Sequence, residues 1–418
     1  MNRIVFVALA GAWSAGGLCA QLPDKVTISQ AVQEAIDHNL NLLAERYNIS
    51  IADARIVTAK LRPNPVVTAG LDYIDFLGQF TPDKNVGPTE YNLRTDFILE
   101  RGGKRARRIE VATDAREVAQ LQLLNTTRLL ALDVQNAFVD VLQAKDNVAL
   151  AGENLAAFEG IVEVNTNRVR AGDLAKVELT RTQVARIQFQ TAVRQSEARL
   201  RIAMNRLQTL MGRVMPSPAF DVEGTLRRDS QPVVLENITA QALELRPDLD
   251  ALRKDQTRSQ AEIRNQIAQG KVDYTVSSMF HRQFYNGASD TLGFFFSVPL
   301  PVFNRNQGEI ERARQERQQA ETRVKAAEAG IRDEVRNAWV QYNTARDVLT
   351  NIERDLLDQA REVRDTMEYS YRRGEASLVE FLDAQRAFND ARQSYNDARA
   401  DFARSLYTID SISGKAVR

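Results

Sequence analysis

Residues 91–105 read YNLRTDFILERGGKR, and a helix-forming run from Lys104 to Arg170 follows without a proline. Tyr91, Leu93, Thr95, Phe97 and Leu99 fall on one side of the opening segment, and Asn92, Arg94 and Asp96 on the other. This is the period of a strand with one apolar and one polar face. Gly102 and Gly103 turn the chain from strand to helix, and the helical period then holds for 67 residues. At 1.5 Å per residue such a helix is about 100 Å long. A strand that feeds a helix far longer than a small domain is wide decides the architecture.

Three more segments alternate in the same way. Val67, Ala69, Leu71 and Tyr73 oppose Thr68, Gly70 and Asp72. Val272, Tyr274, Val276 and Phe280 oppose Asp273, Thr275 and Ser277, and Leu292, Phe294, Phe296, Val298 and Leu300 form one face of the last segment. Four strands of roughly 9–10 residues have the length that crosses a bilayer when tilted. The polar faces are expected to line a lumen. A small soluble sandwich is disfavoured, because four strands leave no second sheet to cover them. A second proline-free run spans Glu309 to Arg373, 65 residues. Leu174–Met211 and Ser377–Ile412 return along the long helices for about 57 and 54 Å. With about 34 Å from the helix before each hairpin, two short helices end to end nearly match one long helix. That arithmetic describes a hollow helical cylinder with helical hairpins at one end and strands at the other.

The plan occurs twice, which makes the chain an internal duplication with a period of about 200 residues. Asp133-Val134-Gln135-Asn136-Ala137-Phe138-Val139 matches Glu334-Val335-Arg336-Asn337-Ala338-Trp339-Val340. Asn39-Leu40-Asn41-Leu42 matches Arg246-Pro247-Asp248-Leu249, and Arg170-Ala171-Gly172 with Glu178 matches Arg372-Arg373-Gly374 with Glu380. The first repeat is placed at 21–214 and the second at 236–414. The linker between them, 215–235, holds Pro216, Pro218 and Pro232. In the first repeat Thr27 and Gln30 form a capping box, the helix breaks near Asn39, and it resumes to about Arg62. In the second, Pro247 suits a helix start, and that helix runs to about Gln269.

Composition agrees. Of 418 residues only 20 are Gly and 11 Pro, so elements should be long and uninterrupted. The 55 basic and 55 acidic residues balance, which argues against a nucleic-acid binder. Residues 1–20 read as a signal peptide: Asn2-Arg3 is a short basic start, Ile4 to Trp13 is almost continuously apolar, and Leu18-Cys19-Ala20 offers a cleavage site. Its removal leaves 54 basic and 55 acidic residues and no cysteine. A lipidated Cys19 is the weaker reading, since Gly16 stands where a lipobox wants Leu. No apolar run of 18 residues follows residue 20, so a membrane crossing has to be a β-barrel. Four strands cannot close one, and the long amphipathic helices cannot bury one face within one chain. Both facts demand association, and symmetric answers give eight or twelve strands.

With these features together, the sequence resembles the TolC-like outer-membrane efflux proteins over essentially the whole mature chain. The signs are Arg246-Pro247-Asp248-Leu249, Val298-Pro299-Leu300 before Gln307-Gly308, and the segment Tyr371 to Asp383. Leu99-Glu100-Arg101-Gly102-Gly103-Lys104-Arg105 looks most like the branch serving heavy-metal cation pumps; the plainer reading is a turn whose basic residues face solvent. The resemblance implies a mainly α fold with a small β part, four strands and long coiled helices per chain in two structural repeats. It implies a homotrimer with a twelve-stranded barrel in outer-membrane lipid and a helical tunnel in the periplasm. The tunnel docks on a periplasmic adaptor and an inner-membrane pump of the RND type.

The same resemblance places a periplasmic gate at Glu380 and Asp383, with Glu178 as the counterpart of Glu380 in the first repeat. Three copies round an axis would favour cations; the plainer alternative is an ordinary solvated helix face. Arg170, Gly172, Asp173, Arg373, Gly374 and Glu375 form the hairpin tips, which in the family meet the adaptor. Members often carry an Arg shortly after the tip glycine. Here Ala376 stands there, which moves the lock to other partners such as Arg372 or Arg373. No catalytic, cofactor or metal site is expected. His38 and His281 stand far apart, and no phosphate loop or nucleophile motif exists. Two rivals remain at this level. One is a channel for type I polypeptide secretion on the same fold. The other is a periplasmic coiled-coil or adaptor protein, which should carry lipoyl-like and small barrel modules that are not evident.

Overall fold

The computed structural model describes residues 25–74, 90–229, 231–284 and 288–415. The expected signal peptide, with Cys19, lies outside them. The described elements follow one order twice. In the first half α1 (Ile28–His38) and α2 (Leu40–Lys60) lead to β2 (Val66–Asp72) and β3 (Glu90–Leu99), then to α3 (Lys104–Ala171) and α4 (Lys176–Leu210). In the second half α5 (Leu235–Leu245) and α6 (Pro247–Gln269) lead to β5 (Tyr274–Gln283) and β6 (Ser289–Ser297), then to α7 (Gln307–Asn351), α8 (Leu357–Arg373) and α9 (Leu378–Ile412). Two short strands, β1 (Lys25–Val26) and β4 (Asp221–Val222), pair in parallel. Helix α3 is 68 residues long. Among the described residues no helix is long and apolar enough to cross a membrane.

Each leading helix pair bends at one residue that serves both helices. Asn39 ends α1 and caps α2: its Oδ1 accepts from the N–H groups of Asn41 and Leu42, and its Nδ2 donates to the Leu210 carbonyl at 2.9 Å. Gly212 packs so close that a Cβ there would lie 2.2 Å from the His38 carbonyl oxygen. Arg246 occupies the same corner of the second half. Its guanidinium grips Asp248 at 3.0 and 2.7 Å and Glu334 at 2.5 Å, which pins the α5–α6 corner to α7. Pro247 opens α6, where its missing N–H costs nothing. The matching motifs are core: Val134, Ala137 and Phe138 in one cluster, Val335 and Ala338 in the other, are buried.

The four long strands form one antiparallel sheet in the order β2-β3-β5-β6. Its register stacks the apolar rows: Ala69 pairs with Leu93, Leu93 with Phe280, and Phe280 with Leu292. Leu71, Leu93, Phe97, Phe280, Leu292, Phe294 and Phe296 are all exposed large apolar side chains. The opposite face carries the internally bonded polar groups, together with Val66, Ile98 and Phe295. Arg94 holds Asp96 at 2.8 Å, Ser277 donates to Asp96, and His281 Nε2 meets Glu90 at 2.8 Å.

Three expectations change in detail. Strand β6 stops at Ser297 rather than Leu300, because Pro299 and Pro301 have no N–H for a ladder. The second long helix is not uniform: a π-helical turn at Ile352–Leu356 separates α7 from α8. Its Glu353 is held by Arg228 at 2.9 and 2.7 Å, which ties the connection between the halves to the second long helix. The basic residues after β3 do not all face solvent. Lys104 is buried on Asp273 at 2.7 Å, and Arg108 pairs with Glu100. Arg105 donates to the last carbonyl of α2, that of Lys60, at 2.6 Å. Gly102 and Gly103 both have φ of +71°, the left-handed conformation this turn requires.

Candidate functional site

The two helical hairpin tips are close copies. Helix α3 ends with Gly172 at φ +87°, and α8 with Gly374 at φ +81°. At the first tip the Asp173 N–H bonds the Arg168 carbonyl at 2.8 Å; at the second the Glu375 N–H bonds the Ser370 carbonyl at 2.9 Å. Both are closures of the kind that a left-handed residue after the helix makes possible. The tips lie side by side, since a Cβ on Gly374 would come within 3.1 Å of Arg168 Nη2. Arg170 and Asp173 are exposed on the first tip. Arg373 and Glu375 are exposed on the second, 3.9 Å apart, and Arg373 also lies over the Tyr369 ring at 4.9 Å. Arg372 pairs with Glu368 at 2.7 Å.

The three acidic residues expected at the gate all sit just past these turns, in or next to the first turn of α4 and of α9, and their surroundings differ. Glu178 makes an ion pair with Arg181 at 2.8 Å. Glu380 is a structural cap: its carboxylate accepts from the Ser377 N–H at 2.7 Å and from the Ser377 hydroxyl at 2.8 Å. The backbone bond first, and the hydroxyl second, hold its carboxyl below the usual carboxylate range. Asp383 is 65% exposed, and among the described residues its ion-pair partner is Arg386, at 3.3 Å. Asp383 is therefore the acid most available to an incoming cation. Among the described residues no group of three or more His, Cys, Asp or Glu is placed to hold a metal ion within one chain.

Sequence reasoning missed what joins the hairpins to each other. Asn165 of α3 is fully buried, at 0% exposure. Its Nδ2 donates to Thr182 of α4 at 2.8 Å and to the Tyr371 hydroxyl of α8 at 2.6 Å. Tyr371 stacks on Phe381 of α9, with centroids 5.5 Å apart. Phe158, Ile161, Ala185 and Leu378 surround this node. The Asn165 Oδ1, also buried, has no hydrogen-bond partner. One polar group among apolar neighbours thus ties all four tip helices. A signal existed: Phe158, Ile161 and Asn165 share a helical seam, and an amide there breaks an otherwise apolar stripe. Farther along, α3 and α9 meet through polar pairs, with Arg399 on Asp146 at 3.1 Å, Asn396 on Asn147 at 2.9 Å and Arg404 on Asp140 at 2.7 Å.

A four-stranded sheet with an exposed apolar face, set on helices of this length, defines a class: channel proteins of the TolC-like fold. Residues 31–213 and 238–415 match the outer membrane efflux protein family, and the chain belongs to that family. The cobalt-zinc-cadmium resistance protein CzcC of Cupriavidus metallidurans is 25% identical over 392 residues, covering 93% of this chain and 90% of that one. The crystal structure of CusC superposes with a TM-score of 0.76 at 17% identity, over 93% of this chain and 92% of that chain. A membrane protein from Pseudomonas aeruginosa gives 0.78 at 18% identity over the same shares. This is a family of efflux channels and not of enzymes.

Proposed function

We propose that the protein is the outer-membrane channel of a tripartite efflux system, passing divalent metal cations or other small toxic solutes to the exterior. Three chains close a twelve-stranded barrel. The long helices form a periplasmic tunnel, and its tips engage a periplasmic adaptor beneath which an RND-type pump supplies the energy. The observation that carries this reading is the sheet. One face exposes Leu, Phe and Val side chains, the other carries the self-bonded polar groups with few apolar ones, and edges β2 and β6 each pair on one side only among the described residues. An open apolar sheet is stable in lipid only when its edges find partners. The similarity to a cobalt-zinc-cadmium resistance protein supports cations as substrate, as do the acidic residues after each tip. Asp383 supplies the exposed charge of the gate, while Glu380 holds the helix start and Glu178 is shared with Arg181.

Native mass spectrometry of the mature protein, extracted from outer membranes in mild detergent, tests the assembly. The expected result is a trimer found in the membrane fraction. A water-soluble monomer or dimer in the periplasmic fraction would refute the barrel and leave a coiled-coil protein.

A further inference from the structure

The foot of the sheet, where strands meet tunnel helices, carries more than a turn. The apolar face ends there in Leu99, Tyr274 and Phe296, with Tyr274 and Phe296 in edge contact at 5.1 Å. The Arg101 guanidinium lies on the Tyr274 ring at 4.2 Å, so this cation caps the apolar face and not the polar one. Beside it, the segment Val298-Pro299-Leu300-Pro301-Val302-Phe303 leaves β6 outside the ladder and bends at Val302 and Phe303. Leu300 is 78% exposed and Phe303 is 90% exposed, the most exposed of the large apolar side chains described. Two of its six residues are prolines without an N–H, and the Val302 N–H is already bonded to the Leu300 carbonyl at 2.9 Å. The Pro301 and Phe303 carbonyls accept from Arg305 Nε and Gln307 Nε2 at 3.1 Å each, so part of the segment's backbone polarity is satisfied locally.

Charge at this level is one-sided. Glu100 and Asp273, the nearby carboxylates, are taken by Arg108 and Lys104. Arg62, Arg101, Lys271 and Arg305 have no ion-pair partner among the described residues. Aromatic and aliphatic side chains under a fringe of cations without a carboxylate partner, with Arg305 Nε donating to the Pro301 carbonyl at 3.1 Å, are the chemistry of a membrane–water interface facing phosphate.

We propose that Arg101, Tyr274, Phe296, Phe303 and Arg305 form an interfacial anchor. Phe303 enters the periplasmic leaflet, and the two arginines bind phospholipid head groups with a preference for anionic ones. The proposal rests on the membrane reading above and adds the lipid class and the residues. The anchor fixes the depth of the barrel and gives the tunnel a firm base. Its occupant is taken to be lipid rather than a neighbouring chain because the segment continues the exposed apolar face and carries excess positive charge.

Phe303→Trp places a fluorophore at the tip of the segment, and Phe294→Trp, made separately, places one on the apolar face of β6. Trp339, part-buried in α7 and bonded to the Val233 carbonyl, serves as the internal reference. The assembled protein is reconstituted in phosphatidylcholine vesicles containing brominated phosphatidylglycerol or brominated phosphatidylcholine. The indole of the Phe303→Trp variant should be quenched by both, and the brominated phosphatidylglycerol should act at the lower mole fraction, by about fivefold for each cation engaged. High salt should erase that preference, and so should Arg101→Gln with Arg305→Gln. The salt series needs no charge variant, so it decides the question even if that variant assembles poorly. Quenching in the Phe294→Trp variant but not in the Phe303→Trp variant would overturn the anchor and place Phe303 under a neighbouring protomer. Equal quenching by the two lipids would overturn the head-group preference. Failure of both introduced indoles to quench would instead remove the membrane reading itself.

Discussion

Tyr371→Phe deletes one oxygen and little else. The ring keeps its stack on Phe381 and its burial, so no cavity opens. What disappears is the acceptor 2.6 Å from Asn165 Nδ2. Asn165 retains Thr182, but one N–H of a fully buried amide loses its partner. A buried donor left unpaired costs about 1–3 kcal/mol. Asn165 and Thr182 belong to the first hairpin and Tyr371 to the second, so the cost falls on the docking of one hairpin against the other. That range corresponds to about 5–150-fold in the ratio of separated to docked hairpins. Hydrogen exchange on the assembled protein reads it directly: amides at the end of α8 and the start of α9 should exchange faster by that factor, while the α7 core stays unchanged. Asn165→Leu combined with Tyr371→Phe removes both polar partners and should restore most of the protection. Unchanged exchange in the single variant, or a double variant no slower than the single, would refute the idea that this node holds the hairpins together.

Asp383→Asn removes the exposed acid and leaves the α9 cap intact, so cation selectivity measured by reversal potential should fall with no loss of thermal stability. Ser377→Ala does the opposite, costing on the order of 1 kcal/mol through the cap with selectivity kept. Glu380, whose carboxyl is held low, stabilises the start of α9 above the ordinary carboxylate range. That support is lost as pH falls through its depressed value, and exchange at the first α9 amides should then rise. Gly172→Ala meets open space and only a left-handed backbone, an expected cost of about 1–2 kcal/mol. Gly212→Ala drives a methyl into the His38 carbonyl and should prevent recovery of folded protein, as thermal denaturation and yield will show. Arg246→Ala strips charged hydrogen bonds from Asp248 and Glu334 and should cost about 1.5–3 kcal/mol in chemical denaturation.

The long elements and their order were legible in the amino-acid sequence alone, whereas the short β1–β4 pair and the π-helical turn at Ile352–Leu356 were not. Strand and helix periods are local, so Tyr91–Leu99 and the proline-free run after Gly103 announced their conformation without any partner. Scarce glycine and proline implied the helix lengths, and the matched motifs at Val134 and Val335 announced two copies of one plan. The glycine turns at Gly172 and Gly374 were legible for the same reason, as left-handed caps that few other residues tolerate. What sequence could not reveal depends on side chains far apart along the chain, or on how a local turn closes. The spacing Ser377-x-x-Glu380 carries the same capping-box signature as Thr27-x-x-Gln30 and so marked Glu380 as a cap, but only the folded chain shows Asp383 largely exposed beside Arg386. Arg246 read as a motif, yet its role is to bridge a helix corner to Glu334. Asn165 met Tyr371 only after two hairpins packed together, and Arg101 found Tyr274 only after β3 paired with β5. Periodicity tells which face of an element is apolar. Packing between distant segments decides which polar atoms are buried against which, and that is where the hairpin node and the interfacial anchor arise.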